Sequence, residues 1–169
     1  MHEKNDSNLD ASGLCIGLAV SRYHAEITES LRRAAVAVFS AGGGNKANLQ
    51  SVCTPGTFEL TAICRALAMR TTRAGRPALH AIVALGCVIT GETTHDQYIS
   101  HSVTEGLTAI TVATGMPIAF GVLTCQNLEQ AKARSSSAPG GANKGAEAMI
   151  AAIHAARAIR AIDDSREYC

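Results

Sequence analysis

Leu79-His80-Ala81-Ile82-Val83-Ala84-Leu85-Gly86-Cys87-Val88-Ile89 runs directly into Thr90-Gly91-Glu92-Thr93-Thr94-His95. The first stretch is almost continuously apolar and far shorter than a membrane span, which needs about 20 residues. It lacks the in-out alternation of a half-solvated strand. That combination predicts a strand buried on both faces, as in a parallel sheet. The second stretch is glycine and hydroxyl residues, so it reads as a turn, and residues 97–114 then read as a helix closed by Gly115.

The same unit recurs on either side. Residues 14–20 form a short apolar run, followed by Ile27, Leu31, Ala34, Ala35 and Val38 at helical spacing and by Gly42-Gly43-Gly44. No Lys-Ser/Thr follows those glycines at P-loop spacing, so they read as a linker. A second strand over 49–53 meets Thr54-Pro55-Gly56, and Phe58, Leu60, Ile63 and Leu67 resume helical spacing. Residues 117–123 predict a fourth strand. Thr124 then caps a short helix reaching Arg134, residues 135–141 form a Ser- and Gly-rich loop, and Ala146, Met149, Ile150 and Ile153 mark a last helix. Strand and helix alternating with continuous apolar strands predict an α/β three-layer sandwich, a mainly parallel four-stranded sheet with helices on both faces. One domain is expected over 14–162, between a disordered polar tail 1–13 and a polar tail 163–169.

Composition narrows the function. Among 169 residues, 47% are hydrophobic, and 15 Lys and Arg nearly balance 14 Asp and Glu. That balance leaves no basic stripe for a phosphate backbone, so no nucleic-acid partner is expected. No apolar run reaches spanning length and residues 1–13 lack a signal-peptide core, so the expectation is a cytoplasmic protein with no membrane partner. The cysteines at 15, 53, 64, 87, 125 and 169 show neither zinc spacing nor a disulfide framework, and most read as small buried thiols. No metal site is expected. His2, His80, His101 and His154 match no motif and read as surface or internally satisfied residues.

In a parallel sheet ligands bind beyond the carboxyl ends of the strands, where Tyr23, the Thr57-Phe58-Glu59 turn and the Gly91-to-His95 turn all fall. The free N–H groups before the helix favour an anion. His95 beside such an anion can carry protons, and Arg134 can add a fixed charge. Read alone, the same segment also fits a helix cap with a surface imidazole.

Six motifs in order resolve the choice. Ser21-Arg22-Tyr23 with Ile27-Thr28, Pro55-Gly56-Thr57-Phe58-Glu59-Leu60, and Leu85-Gly86-Cys87-Val88-Ile89 with Gly91-Glu92-Thr93-Thr94-His95 come first. Pro117-Ile118-Ala119-Phe120-Gly121-Val122-Leu123-Thr124, Leu128-Glu129-Gln130-Ala131 and Asn143-Lys144-Gly145-Ala146-Glu147 follow. Together, over about 14–161, they resemble the lumazine synthase family, which has a flavodoxin-like fold. The resemblance implies a cofactor-free condensation of 5-amino-6-(D-ribitylamino)uracil with 3,4-dihydroxy-2-butanone 4-phosphate, giving 6,7-dimethyl-8-ribityllumazine in riboflavin biosynthesis. It implies that Tyr23 stacks on the pyrimidine, Thr57, Phe58 and Glu59 hold the ribityl side, Cys87, Val88 and Ile89 meet the ring edge, and Phe120 completes the pocket. Glu92 and Thr93 would offer backbone N–H groups to the phosphate, Arg134 would pair with it, and His95 would move protons. The resemblance offers Glu147 as a carboxylate that orients His95 and Lys144 as a second phosphate contact, and each reads equally well as a solvated charge on the last helix.

The resemblance further implies that Phe120 and Arg134 serve a neighbouring subunit's site, making a homo-oligomer obligatory, and allows riboflavin synthase as a partner. The loop 135–142 is longer than in shell-forming relatives, which favours a free pentamer, or a pair of pentamers, over a sixty-subunit shell. Three positions depart from the family pattern: Tyr23 for Phe or Trp, Thr90 for an arginine, and Asp96-Gln97-Tyr98, which moves the carboxylate next to His95. They keep open a second reading, a slow paralogue that binds flavin or lumazine. His24 is unusual for the family too, and reads either as a residue at the pocket mouth or, the favoured reading, as an exposed helix-start histidine.

Overall fold

The computed structural model describes residues 9–69, 78–136 and 142–164. Its strands are β1 (Ile16–Ser21), β2 (Leu49–Thr54), β3 (Ala81–Ile89) and β4 (Ile118–Cys125), and its helices α1 (Ala25–Ala41), α2 (Leu60–Ala68), α3 (His95–Thr114), α4 (Leu128–Arg134) and α5 (Lys144–Asp164). The strands form one parallel sheet in the order β2-β1-β3-β4. The expected three-layer α/β architecture is the one found.

Alternate residues of the central strands feed two cores. Ile16, Leu18 and Val20 of β1 with Val83, Leu85 and Cys87 of β3 pack under Leu31 and Phe39 of α1, Ala131 of α4 and Met149 and Ile153 of α5. Ala19, Ile82, Ala84 and Val88 face the other way, against Leu60 and Cys64 of α2 and Val103, Leu107 and Ile110 of α3. Burial on both faces explains why β1 and β3 read as unbroken apolar runs, whereas the edge strands β2 and β4 are partly exposed. α5 crosses α1 so closely that a Cβ on Gly145 would strike the backbone of Leu31.

Several boundaries differ from the sequence expectation. The polar tail does not extend through residue 13. Ala11 is fully buried, its N–H donates to the Gly42 carbonyl at 2.7 Å, and Arg157 of α5 clamps Asp10 and Ser12. Polar composition reports solvation but not a cation waiting on a neighbouring helix. Thr124 is not a cap, because β4 runs on through Cys125. Asn127 caps α4 instead, accepting from the Gln130 N–H at 2.9 Å. α3 begins at His95, two residues before the expected start, and α5 continues to Asp164. Gly115 closes α3 in the left-handed conformation, φ 70°. The loop that carries the assembly argument lies mostly outside the described residues, though its first residue is anchored: the Ser135 carbonyl accepts from Ser30 Oγ and Asn143 Nδ2, each at 2.7 Å. Among the described residues no helix is long and apolar enough to cross a membrane.

Candidate functional site

The chain order reverses between β1 and β3, and at that point the strand exits diverge and leave a crevice beyond their carboxyl ends. The exits of β1, β2 and β3 line a cleft of about 840 Å³ there.

From β1 the chain leaves through Ser21, whose Oγ accepts from the Tyr23 N–H at 3.2 Å. Tyr23 is 65% exposed. His24 follows with φ 54° and ψ 52°, the one left-handed non-glycine among the described residues, and its carbonyl accepts from the Ile27 and Thr28 N–H groups to start α1. Of the two readings of His24, the favoured one, an exposed histidine, is corrected: it is half-buried and lines the cleft, the position of the other reading.

The β2 exit is laced to itself and to β3. Thr54 Oγ1 donates to the Gly56 carbonyl at 2.7 Å, and the Gly56 N–H donates to Glu59 Oε2 at 2.9 Å. Thr57 is buried, with its hydroxyl 3.3 Å from the Cys87 carbonyl. That approach needs a bare backbone beneath it, since a Cβ on Gly86 would stand 2.9 Å from Thr57 Cγ2. Phe58 is thereby pushed outward, 57% exposed.

On β3, burial pushes the Cys87 thiol up to about 12, so at neutral pH it is an uncharged wall of the cleft and not a nucleophile. Val88 and Ile89 continue that wall. Beyond them the turn is clasped by a pair that sequence reasoning did not connect: Thr90 Oγ1 lies 3.2 Å from Asp96 Oδ2. Two of the three departures from the family pattern therefore bond to each other. The other Asp96 oxygen is enclosed and, among the described residues, has no hydrogen-bond partner. Thr93 and His95 line the cleft at the start of α3, and Glu92, exposed in the same turn, does not. Gly91 has no internal reason to be glycine: its φ is not left-handed and a Cβ there would meet open space. Tyr98, Ile99 and Ser102 also line the cleft, three, four and seven positions after His95 on one helical face.

Phe120, Arg134, Lys144 and Glu147 are elsewhere. They line a smaller groove of about 390 Å³ between β4, α4 and α5. Phe120 is 45% exposed at the sheet edge, Arg134 Nη1 rests on its own helix at the Gln130 carbonyl, 3.2 Å away, and Lys144 Nζ pairs with Glu147 Oε2 at 2.6 Å. Within one chain, then, Glu147 engages Lys144 and not His95. The predicted residues fall into two sets, and among the described residues the cleft is lined by the carboxylates Glu59 and Asp96 but by neither Lys nor Arg. Among the described residues no group of three or more His, Cys, Asp or Glu is placed to hold a metal.

The model of the 6,7-dimethyl-8-ribityllumazine synthase family matches residues 13–160. A 6,7-dimethyl-8-ribityllumazine synthase of Thermus thermophilus is 38% identical over 154 residues, covering 91% of this chain and 93% of the relative. One from Kineococcus radiotolerans is 40% identical, covering 91% and 90%, and one from Anaeromyxobacter dehalogenans is 39% identical, covering 93% and 92%. The match takes in the sheet, all three strand exits and the separate groove, and the chain belongs to the 6,7-dimethyl-8-ribityllumazine synthase family.

Proposed function

We propose that the cleft of one chain and the groove of a neighbouring copy close on each other to make one active site, and that the chain works as a homopentamer. The family reaction makes the chain a transferase of riboflavin biosynthesis. It condenses 5-amino-6-(D-ribitylamino)uracil with 3,4-dihydroxy-2-butanone 4-phosphate to give 6,7-dimethyl-8-ribityllumazine, phosphate and water.

One observation carries the two-chain reading. The cleft offers a helix start and an imidazole to a phosphate, yet among the described residues its lining has two carboxylates and no Lys or Arg. A phosphate dianion in that setting needs a cation, and Arg134 stands in the other groove with four of its five N–H donors left beyond its bond to Gln130. The open backbone at Gly91 leaves room for the anion to come close.

In this reading Tyr23 is the platform for the pyrimidine, the Thr57-to-Glu59 turn meets the ribityl chain, Cys87, Val88 and Ile89 border the ring, and the neighbour's Phe120 covers it. The pyrimidine amine attacks the butanone carbonyl, a C–N bond forms and water leaves. A proton then comes off the adjacent carbon as the C–O bond to phosphate breaks, and phosphate departs with the bonding pair. After tautomerisation the second nitrogen closes on the carbonyl so formed, with loss of another water. His95 relays the protons, while the start of α3 and Arg134 hold the phosphate. Holding two reactants in register contributes on the order of 7–11 kcal/mol in favourable cases. One general acid–base group contributes about 10²- to 10⁴-fold.

Mixing the purified protein with both substrates tests the reaction: lumazine fluorescence and free phosphate are expected to rise together. Tight flavin or lumazine binding without turnover would support the paralogue reading instead. Light scattering is expected to report a particle of five chains, and one of about sixty chains would overturn the assembly.

A further inference from the structure

A left-handed backbone is sterically unfavourable for an L-residue, and glycine escapes that cost. The other described residues with positive φ, Gly13, Gly43 and Gly115, are all glycine, so His24 at φ 54° is the exception. Capping would justify a polar side chain at this position, but the His24 side chain makes no capping hydrogen bond to α1, and the helix starts on its backbone carbonyl, which glycine would supply equally well. The imidazole is spent elsewhere. It lies against the Tyr23 ring with centroids 4.7 Å apart and planes at 72°, the one aromatic pair among the described residues, and it lines the cleft beside that ring. A perpendicular contact restrains a neighbouring ring without covering it, and Tyr23 remains 65% exposed.

We propose that His24 is a positioning residue: its imidazole holds the Tyr23 ring at the angle that receives the pyrimidine, and the strained backbone is what brings the two rings together. This rests on the reading of Tyr23 as the pyrimidine platform. Strain of this kind persists where the surroundings over-determine it, often at ligand sites, and its signature is a variant that gains stability while losing binding.

The test is a double-mutant cycle on the assembled enzyme with His24→Gly, His24→Phe, Tyr23→Ala and the Tyr23→Ala/His24→Gly pair, reading KM for each substrate, kcat and the thermal midpoint. His24→Gly is expected to raise KM for the pyrimidine about three- to tenfold, the scale of an aromatic pair, while KM for the butanone phosphate stays within about twofold and the midpoint does not fall. His24→Phe, which keeps a ring, is expected to restore the pyrimidine KM even if its midpoint drops. In the Tyr23→Ala background His24→Gly should add nothing. An unchanged pyrimidine KM in His24→Gly, or a rise that persists without the Tyr23 ring, overturns the proposal. If Tyr23→Ala itself leaves that KM unchanged, the platform reading falls and takes the proposal with it. If Tyr23→Ala raises it and His24→Gly does not, the proposal falls alone.

Discussion

The cleft and the β4 groove are built from the same sheet and divide the chemistry unequally. The cleft collects Tyr23, Phe58 and Tyr98 as exposed rings, a helix start and His95, with the carboxylate side chains of Glu59 and Asp96 and, among the described residues, no Lys or Arg. The groove has Arg134 and Lys144 beside the exposed Phe120. Neither is a satisfactory site alone: an anion in the cleft lacks a cation, and the groove has no base free of a partner, since Glu147 is taken by Lys144. On the proposed two-chain reading the difference means that the chain carries two complementary halves, and that the exposed rings at both are surface for a neighbouring copy to cover.

The division is broken most sharply at Arg134. Its replacement by Ala should lower kcat/KM for the butanone phosphate about 10²- to 10³-fold, as truncating one member of a desolvated charge pair does. KM for the pyrimidine should hardly change. Lys144→Ala should cost far less, because its ammonium already faces Glu147. Equal losses from the two would dissolve the distinction between them. On the cleft side, His95→Ala should lower kcat about 10²-fold, the low end for one acid–base group, with assembly intact. Activity falling to the uncatalysed rate would mean that orientation contributes much less than supposed.

The glycines sharpen the comparison within the cleft. Gly86→Val forces a side chain against Thr57 and Leu60, and should cost about 1–3 kcal/mol in denaturant melts while raising the pyrimidine KM as the 56–60 turn is displaced. Gly91→Ala should leave stability unchanged and act only on KM for the phosphate substrate. A stability loss there would show that its backbone is under internal constraint.

The smallest effect lies at the opposite end of the strands, just before β1 and β3 begin. His80 accepts from the Cys15 N–H at Nδ1, 2.8 Å away, and burial together with the Arg160 charge holds its pKa below the ordinary value of 6.5. The folded state therefore binds this proton less readily than the unfolded state. Stability from His80 is whole above about pH 6.5 and declines as pH falls toward the lowered folded pKa. Melts across that window should lose part of their pH dependence in His80→Gln, with pyrimidine KM unaffected. A KM shift would tie this end of the sheet to the cleft.

Much of the fold was legible because β1 and β3 are buried on both faces, which leaves an unbroken apolar signature. Ala11 and Asn127 were not, since burial of a tail residue and the choice between Thr124 and Asn127 as a cap depend on partners distant in sequence or on where a strand stops. The cleft residues could be read through ordered motifs. Tyr98, Ile99 and Ser102 follow from helical spacing out of His95. His24 and the Thr90–Asp96 clasp carry no such mark: nothing in sequence announces a left-handed histidine, and two substitutions six residues apart become a pair only when the turn closes.

The split site is tested most directly by mixing. His95→Ala and Arg134→Ala chains, each nearly inactive alone, are unfolded and reassembled together at equal amounts. If the cleft of one chain meets the groove of the next, random assembly pairs an intact cleft with an intact groove at about one interface in four, and activity should return to about a quarter of the unmodified enzyme. A mixture no more active than its components, although assembled, would contradict the account, because a site contained in one chain gains nothing from a neighbour.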